Sequence, residues 1–324
     1  MTSSADKNGL GSAAGRQQST RALDESVLPH ISVCICTYKR PVPLKRLLDD
    51  LKQQETGGLF TFSVVVADND EEEAGRAAVA EALNSSPFHI AYCAEPKRGI
   101  ARARNTVIAH AEGDFLALID DDEFPISTWL LKLFVECKEY NVDGVLGSVR
   151  RHFEEAPPSW LEKSQLYDRR VNPTGMPVHW RESRTGNVLM KRRVIEGDAL
   201  PFNPEFRAGE DHDFFRRKIE EGYKFIWSAD AEVFEVLPPS RWKRMYFVRK
   251  ALLQGATAAQ QPDCDALSIA KSIVAVPVYI VILPFSLLLG QHHFMSILIK
   301  LASHAGKLLI LVGINPIAEE YVSD

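Results

Sequence analysis

Residues 115–123, Phe-Leu-Ala-Leu-Ile-Asp-Asp-Asp-Glu, pass from five apolar side chains straight into four carboxylates. A short unbroken apolar run reads as a strand covered on both faces. Two more runs end the same way: 31–36 (ISVCIC) in Thr37-Tyr38-Lys39-Arg40, and 62–67 (FSVVVA) in Asp68-Asn69-Asp70. Residues 89–94 form a further apolar run. Between the runs lie helical stretches: 43–54, with Leu44, Leu47, Leu48 and Leu51 on one face, the Ala-rich 74–83, and 100–111. Strands alternating with helices predict a doubly wound, mainly parallel α/β sheet with right-handed crossovers. Ligands in such sheets bind beyond the carboxyl ends of the strands. The loops 37–40, 68–70 and 120–123 should therefore converge on one crevice.

From 143 to 238 the pattern is irregular, rich in Gly, Pro and aromatics, and reads as completing the same domain. A net charge of −5 gives no case for a nucleic-acid binder. The charge is uneven, though: 236–262 holds no acidic residue, while Arg241, Lys243, Arg244, Arg249 and Lys250 form a basic stripe. The five cysteines have no CxxC spacing; Cys34 and Cys36 face the same way on a strand and read as packing, in a reducing compartment. Residues 1–28 are expected to be a disordered tail, with no secretory signal.

The end of the chain differs in kind. Residues 272–291 carry no formal charge and are interrupted by Pro277 and Pro284; twenty such residues can just span a hydrocarbon core of roughly 30 Å. In 294–314, Lys300, His304 and Lys307 form one polar stripe on an apolar helix. The reading is a spanning or re-entrant segment followed by an interfacial amphipathic helix, set against a buried hairpin packed on the main domain. The basic stripe favours a membrane with anionic lipid.

Four adjacent carboxylates repel one another unless a cation or solvent relieves them. A hard divalent ion such as Mg²⁺ or Mn²⁺ takes one or two carboxylates and completes its shell with phosphate oxygens and water. In 209–215 (GEDHDFF), Glu210 and Asp211 could serve an acceptor hydroxyl and a general base, or cap the first turn of a helix. The stretch 98–105 (RGIARARN) opens a helix with glycine and arginines, which suits an anion.

Together, SVCICTYKRP, VVADND, RGIARARN, LALIDDDE, TGNVLM and GEDHDF resemble, in that order, inverting family 2 glycosyltransferases of the GT-A fold, over about residues 31–255. Those that build bacterial exopolysaccharides such as succinoglycan look most similar. The resemblance implies a catalytic domain over 29–238, with a nucleotide half (29–123) and an acceptor half (124–238), and a basic, apolar, membrane-associated helical tail over 239–324. It implies a nucleotide-sugar donor, a saccharide acceptor that is lipid-linked, Mg²⁺ or Mn²⁺, and a place on the cytoplasmic face of the plasma membrane. By position, Thr37, Arg40, Asp68, Arg98 and Asp121 would contact the nucleotide. Asp120 and Asp122 would bind metal, Asp211 would be the catalytic base, and Glu210 would orient the acceptor. Glu235 stands where many relatives have a metal-binding His, which leaves the third protein ligand open. Trp160, Trp180 and Trp227 could stack on sugar or pack in the core. Two alternatives remain: a sugar nucleotidyltransferase, although TYKRP replaces the glycine- and lysine-rich phosphate loop it would need, and a non-catalytic, membrane-anchored carbohydrate- or metal-binding protein.

Overall fold

The structure, a computed structural model, describes residues 28–206, 209–260 and 264–316. Apart from Leu28, the tail expected to be disordered lies outside them. The chain begins β1 (His30–Thr37), α1 (Pro41–Leu51), β2 (Thr61–Asp68), α2 (Arg76–Leu83), β3 (Ile90–Ala94), α3 (Ile100–Ala109) and β4 (Phe115–Asp120). These agree with the expected strands and helices to within a few residues at their ends. Next come β5 (Glu123–Pro125), α4 (Trp129–Glu139), β6 (Gly144–His152), α5 (Ser159–Ser164), β7 (Asn187–Lys191), α6 (Glu210–Glu220) and β8 (Phe225–Val236). Three helices follow: α7 (Arg244–Gln260), α8 (Ala266–Ser286) and α9 (Gln291–Leu311).

The strands form one sheet in the order β3-β2-β1-β4-β7-β6-β8-β5. The first four are parallel; β7 runs against both β4 and β6, β8 is parallel to β6, and β5 is antiparallel to β8. Apolar side chains cover both faces. Ile31, Val33 and Ile35 of β1 pack with Leu44, Leu47 and Leu48 of α1, while Cys34 and Cys36 turn to the other side with Ala101 and Val107 of α3. The register aligns the strand ends: Thr37 lies beside Asp68 and Cys36 beside Asp120.

The irregular stretch contributes the other half of this sheet. Fully buried Asn187 accepts a bond from Trp129 Nε1 at 2.8 Å and donates to the carbonyls of Ser148 (3.0 Å) and Ala231 (2.8 Å). One side chain thus joins α4, β6 and β8 to the start of β7. Gly147 sits at the β-bulge where β6 and β8 shift register, and a Cβ there would come within 2.2 Å of the Ala231 carbonyl. A larger residue cannot occupy that position without moving a strand.

Ala266–Leu289 and Gln291–Leu311 are long and apolar enough to cross a membrane. The face of α8 is largely uncovered, with Val274, Val281 and Phe285 exposed, which overturns the buried-hairpin reading for this helix. The helix also continues through Pro277 and Pro284. The polar stripe of α9 differs from its expected place: Lys307 Nζ donates to Ser268 Oγ at 2.7 Å and His304 Nδ1 lies 3.0 Å from Ser272 Oγ, so both groups face α8. Leu161, Phe247 and Met295, ringed by Trp160, Tyr167 and Trp242, pack α5, α7 and α9 together.

Helices α7 and α9 meet through glycines. A Cβ on Gly306 would lie 2.1 Å from the Leu252 carbonyl, and one on Gly255 would lie 1.9 Å from the Ser303 carbonyl. Gly306→Ala should therefore force the helices apart and cost about 1–3 kcal/mol, as overpacking does. Thermal unfolding of the full chain in detergent checks this; an unchanged melting temperature would mean that the close crossing carries no stability.

Candidate active site

The loop after β1 holds the acidic run. Thr37 Oγ1 donates to Asp121 Oδ2 at 2.7 Å, and Arg40 Nη1 donates to Asp121 Oδ1 and Asp122 Oδ2, both at 3.1 Å. Asp122 Oδ2 also accepts from Arg241 Nη2 at 2.8 Å. Pairing of β5 with β8 sets Glu235 opposite Glu123. Glu235 is claimed on both oxygens, by Arg241 Nη1 at 3.3 Å and Arg169 Nη2 at 2.6 Å. Arg241, read from sequence as part of a membrane-facing stripe, is buried and points into the crevice.

Asp120 is the open member of the run. Its side chain is 48% exposed, and Oδ1 lies 3.9 Å from Arg104 Nη2. The backbone of Gly186, from TGNVLM, passes against it: a Cβ there would lie 2.8 Å from both Asp120 Oδ2 and Glu123 Oε1. Partial desolvation at the crevice floor, with the charges of Asp122 and Glu235, raises the Asp120 carboxyl above the usual carboxylate range despite Arg104. Burial and Asp122 push Asp121 up to about 7 against Arg40 and Thr37. Glu123, buried beside Asp120, is raised well above the usual carboxylate range.

Asp68, expected at the nucleotide, closes the end of β2. Its side chain is fully buried: Oδ1 accepts from the Asp70 N–H at 3.1 Å, and Oδ2 from the Gly75 N–H at 2.7 Å and Tyr92 Oη at 3.0 Å. It shapes the loop from behind. Asn69, which the sequence reading passed over, bridges to the next loop, donating to the carbonyls of Glu95 (2.7 Å) and Lys97 (2.9 Å) and accepting from the Gly99 N–H (2.8 Å). Exposed Arg98 lies over the Tyr38 ring, 4.9 Å from its centroid, at the rim between the β1 and β3 loops.

The acidic helix start closes the other side. Gly209 takes a left-handed φ of 83° and α6 begins at Glu210. Buried Glu210 accepts from Arg104 Nη1. Arg104 is therefore not a free phosphate ligand; it joins the base of α6 to Asp120. Asp211 is half-buried and accepts from the His212 N–H at 2.8 Å. Asp213, paired with Arg216 and Arg217 at 3.0 Å each, takes a structural part. Trp227 is 2% exposed and belongs to the core, and Trp160 packs edge-on to Phe247. Half-buried Trp180 stacks with His179.

Among the described residues no three His, Cys, Asp or Glu side chains form a metal cage by themselves. The carboxylates still fit a hard cation whose shell a substrate completes, because Asp120 is open and its neighbours leave negative charge uncompensated. Glu235, expected as a third ligand, is held between the guanidinia of Arg169 and Arg241.

Comparison with known proteins agrees with this geometry. The model of Glycosyl transferase family 2 matches residues 32–197. The chain belongs to that family. A succinoglycan biosynthesis protein, ExoM, of Rhizobium meliloti (strain 1021) is 31% identical over 230 residues, 70% of this chain and 74% of that protein. A glucosyl-dolichyl phosphate glucuronosyltransferase of Haloferax volcanii is 25% identical over 240 residues, 69% of this chain and 75% of that protein. The mannosyltransferase PcManGT of Pyrobaculum calidifontis, solved with GDP-Man and Mn²⁺, superposes with a TM-score of 0.58 at 18% identity, covering 89% of each chain. S. aureus TarS 1–349 with UDP gives 0.53 at 14% identity, over 91% of this chain and 94% of that one. This glycosyltransferase has the GT-A fold, a mainly parallel sheet carrying a helical C-terminal appendage.

Asp121 makes the enzyme's stability depend on pH. An unfolded aspartate titrates near about 3.9, so between there and about 7 the folded chain binds the extra proton. This group's contribution to stability therefore falls as pH rises through that window. Asp121→Asn should lose that part of the slope and gain on wild type in melting temperature from pH 4 to pH 8. A difference that stays constant with pH would refute the assignment.

Proposed function

We propose that the enzyme is a metal-assisted, inverting glycosyltransferase. It moves a sugar from a nucleoside diphosphate sugar to a hydroxyl of a lipid-linked saccharide, at the cytoplasmic face of the plasma membrane, during cell-surface or exopolysaccharide assembly. The observation that carries the reading is Arg104, which lies between open Asp120 on one side and Glu210, next to Asp211, on the other. Donor and acceptor chemistry thereby share one crevice.

Thr37, Arg40 and Asp121 would border the nucleoside, Arg98 its rim, and Asp68 would hold that pocket's shape from behind. Asp120 and Asp122 would hold Mg²⁺ or Mn²⁺, which when bound offsets the charge developing on the departing diphosphate. Glu210, fixed by Arg104, would set the acceptor's approach. Asp211 would accept the acceptor hydroxyl's proton as that oxygen bonds to the anomeric carbon, while the carbon–oxygen bond to the diphosphate breaks on the opposite face. Configuration inverts, and the proton leaves on Asp211. The structural neighbours bound to UDP or to GDP-Man with Mn²⁺, and the relative that acts on a glucosyl-dolichyl phosphate, support a nucleotide donor, a divalent ion and a lipid phosphate carrier.

Release of nucleoside diphosphate across a panel of nucleotide sugars, with Mn²⁺ or EDTA, tests the class; pyrophosphate release would favour a nucleotidyltransferase. Asp211→Asn should lower kcat by about 10²–10⁴-fold, the usual range for a general base, with nucleotide Kd nearly unchanged. Full activity in that variant would remove the base assignment.

The exposed apolar surface of α8 and the exposed Lys243, Arg244 and Arg249 support membrane attachment. The full chain should sediment with membranes, resist extraction by 1 M NaCl and be released by detergent. Release by salt alone would reduce the tail to an electrostatic contact.

A further inference from the structure

Helices α8 and α9 are alike in length and apolarity, yet their exposed surfaces are opposite in kind. Along α8 the exposed side is apolar from end to end. Leu267, Val274, Val278, Val281, Phe285 and Leu288, between 46% and 85% accessible, fall on one helical face. The covered side carries hydroxyls instead: Ser272 and Ser286 are buried, Ser268 Oγ accepts from Lys307 Nζ at 2.7 Å, and Ser272 Oγ lies 3.0 Å from His304 Nδ1. This helix is amphipathic with its apolar face outward.

Helix α9 has no such face. Among its described side chains before Leu311, the exposed ones are Gln291, His293 and Lys300. Its apolar residues are taken up by neighbours: α8 covers one side and α7 runs along another. Arg244 Nη2 donates to Gln291 Oε1 at 2.5 Å, Phe247 packs with Met295, and the two backbones approach closely at Gly255 and Gly306. Exposed Arg244 and Arg249 keep α7 out of hydrocarbon, where a charged side chain is costly. If α8 spanned a bilayer, the chain would have to return through α9, which would draw α7 and its arginines in with it. The connection between α8 and α9 would then emerge in water on the far side, although it consists of the exposed leucines Leu287, Leu288 and Leu289.

We propose that the tail is a single-leaflet anchor. Helix α8 lies in the plane of the membrane with its apolar face among the acyl chains of one leaflet, α9 rests on it, and neither helix crosses. This rests on the membrane attachment argued above and adds its topology. A helix so placed sits about 5–10 Å into the boundary between headgroups and acyl chains. The charges fit an anionic lipid surface. Lys271 is exposed near the start of α8, and Lys243 and Arg244 are exposed beside its end, where Arg244 meets Gln291. Cations thus stand at both ends of the apolar face, at the level where anionic headgroups attract them.

The test reconstitutes the full chain from detergent into vesicles of phosphatidylcholine and phosphatidylglycerol, with bromine on the acyl chains either near the headgroup or near the chain end. Leu267→Trp, Val278→Trp and Leu288→Trp each place a reporter on the exposed face, and its fluorescence over wild type is quenched according to depth. The three substituted side chains are exposed, so each variant keeps the packing of α8 on α9. All three should be quenched more by the shallow bromine, to extents that agree within about twofold, as a helix parallel to the surface requires. Stronger quenching of the Val278 variant by the deep bromine, with both end positions shallow, would mean a spanning helix and overturn the anchor. Flotation with the vesicles but no quenching at any position would also overturn it, and sedimentation as a dimer would then assign the face to a second copy. Failure to float with vesicles at all would remove the membrane attachment itself, and the anchor with it.

Discussion

Five carboxylates, Asp120 to Glu123 and Glu235, crowd the carboxyl end of one sheet, and their mutual repulsion governs what surrounds them. Left alone they would disfavour the fold or take up protons, as the raised carboxyls of Asp120, Asp121 and Glu123 indicate. Arginines from separate parts of the chain answer this: Arg40 after β1, Arg104 in α3, Arg169 after α5 and Arg241 after β8. Removing one member of a buried pair such as Arg241–Asp122 typically costs about 3–5 kcal/mol, so that pair also fixes the segment that supplies it. The crevice is preorganised by the same charges that would handle a diphosphate.

The sheet makes this crowding possible. Four parallel strands bring the ends of β1, β2 and β4 into line. The antiparallel β7 enters beside β4 from the opposite direction, so the residues preceding it, Arg184 and Gly186, lie over the same end. Gly186 admits the carboxylates because it has no Cβ, and the next residue, Asn187, anchors three elements in the core. The motif around TGN thus combines a steric requirement with a structural one.

The first half of this architecture was legible because each strand is buried on both faces, leaving an apolar run that ends abruptly in polar residues. The second half was not. Strand β7 is five residues long and is reached only after an excursion from β6, while β8 mixes charged and apolar residues over twelve positions with a register shift opposite it. The acidic side chains of the candidate site could be read because carboxylates in sequence neighbourhoods are visible. Their arginine partners could not: Arg104 meets Glu210 across 106 positions and Arg241 meets Asp122 across 119. The partners of Asp68 were hidden for a related reason, since nothing in the sequence around a strand-end aspartate marks the distant Tyr92 or the Asp70 and Gly75 amides that it accepts from.

Arg241 also joins the chemistry to the tail. It lies in the short turn Pro239–Trp242 by which the chain leaves β8 for α7, and its carbonyl accepts from Tyr167 Oη at 2.8 Å. Trp242, in the same turn, donates to the Leu237 carbonyl at 2.9 Å and belongs with Tyr167 to the aromatic cluster under α7 and α9. The turn that carries the apolar helices is therefore the one that supplies the cation on Asp122 and Glu235. Any displacement of α7 and α9 relative to the sheet acts on that cation, and through it on the charge balance of the acidic run. The turn that leads to the helices that would hold the enzyme at a membrane is thus bonded directly to the carboxylates of its crevice.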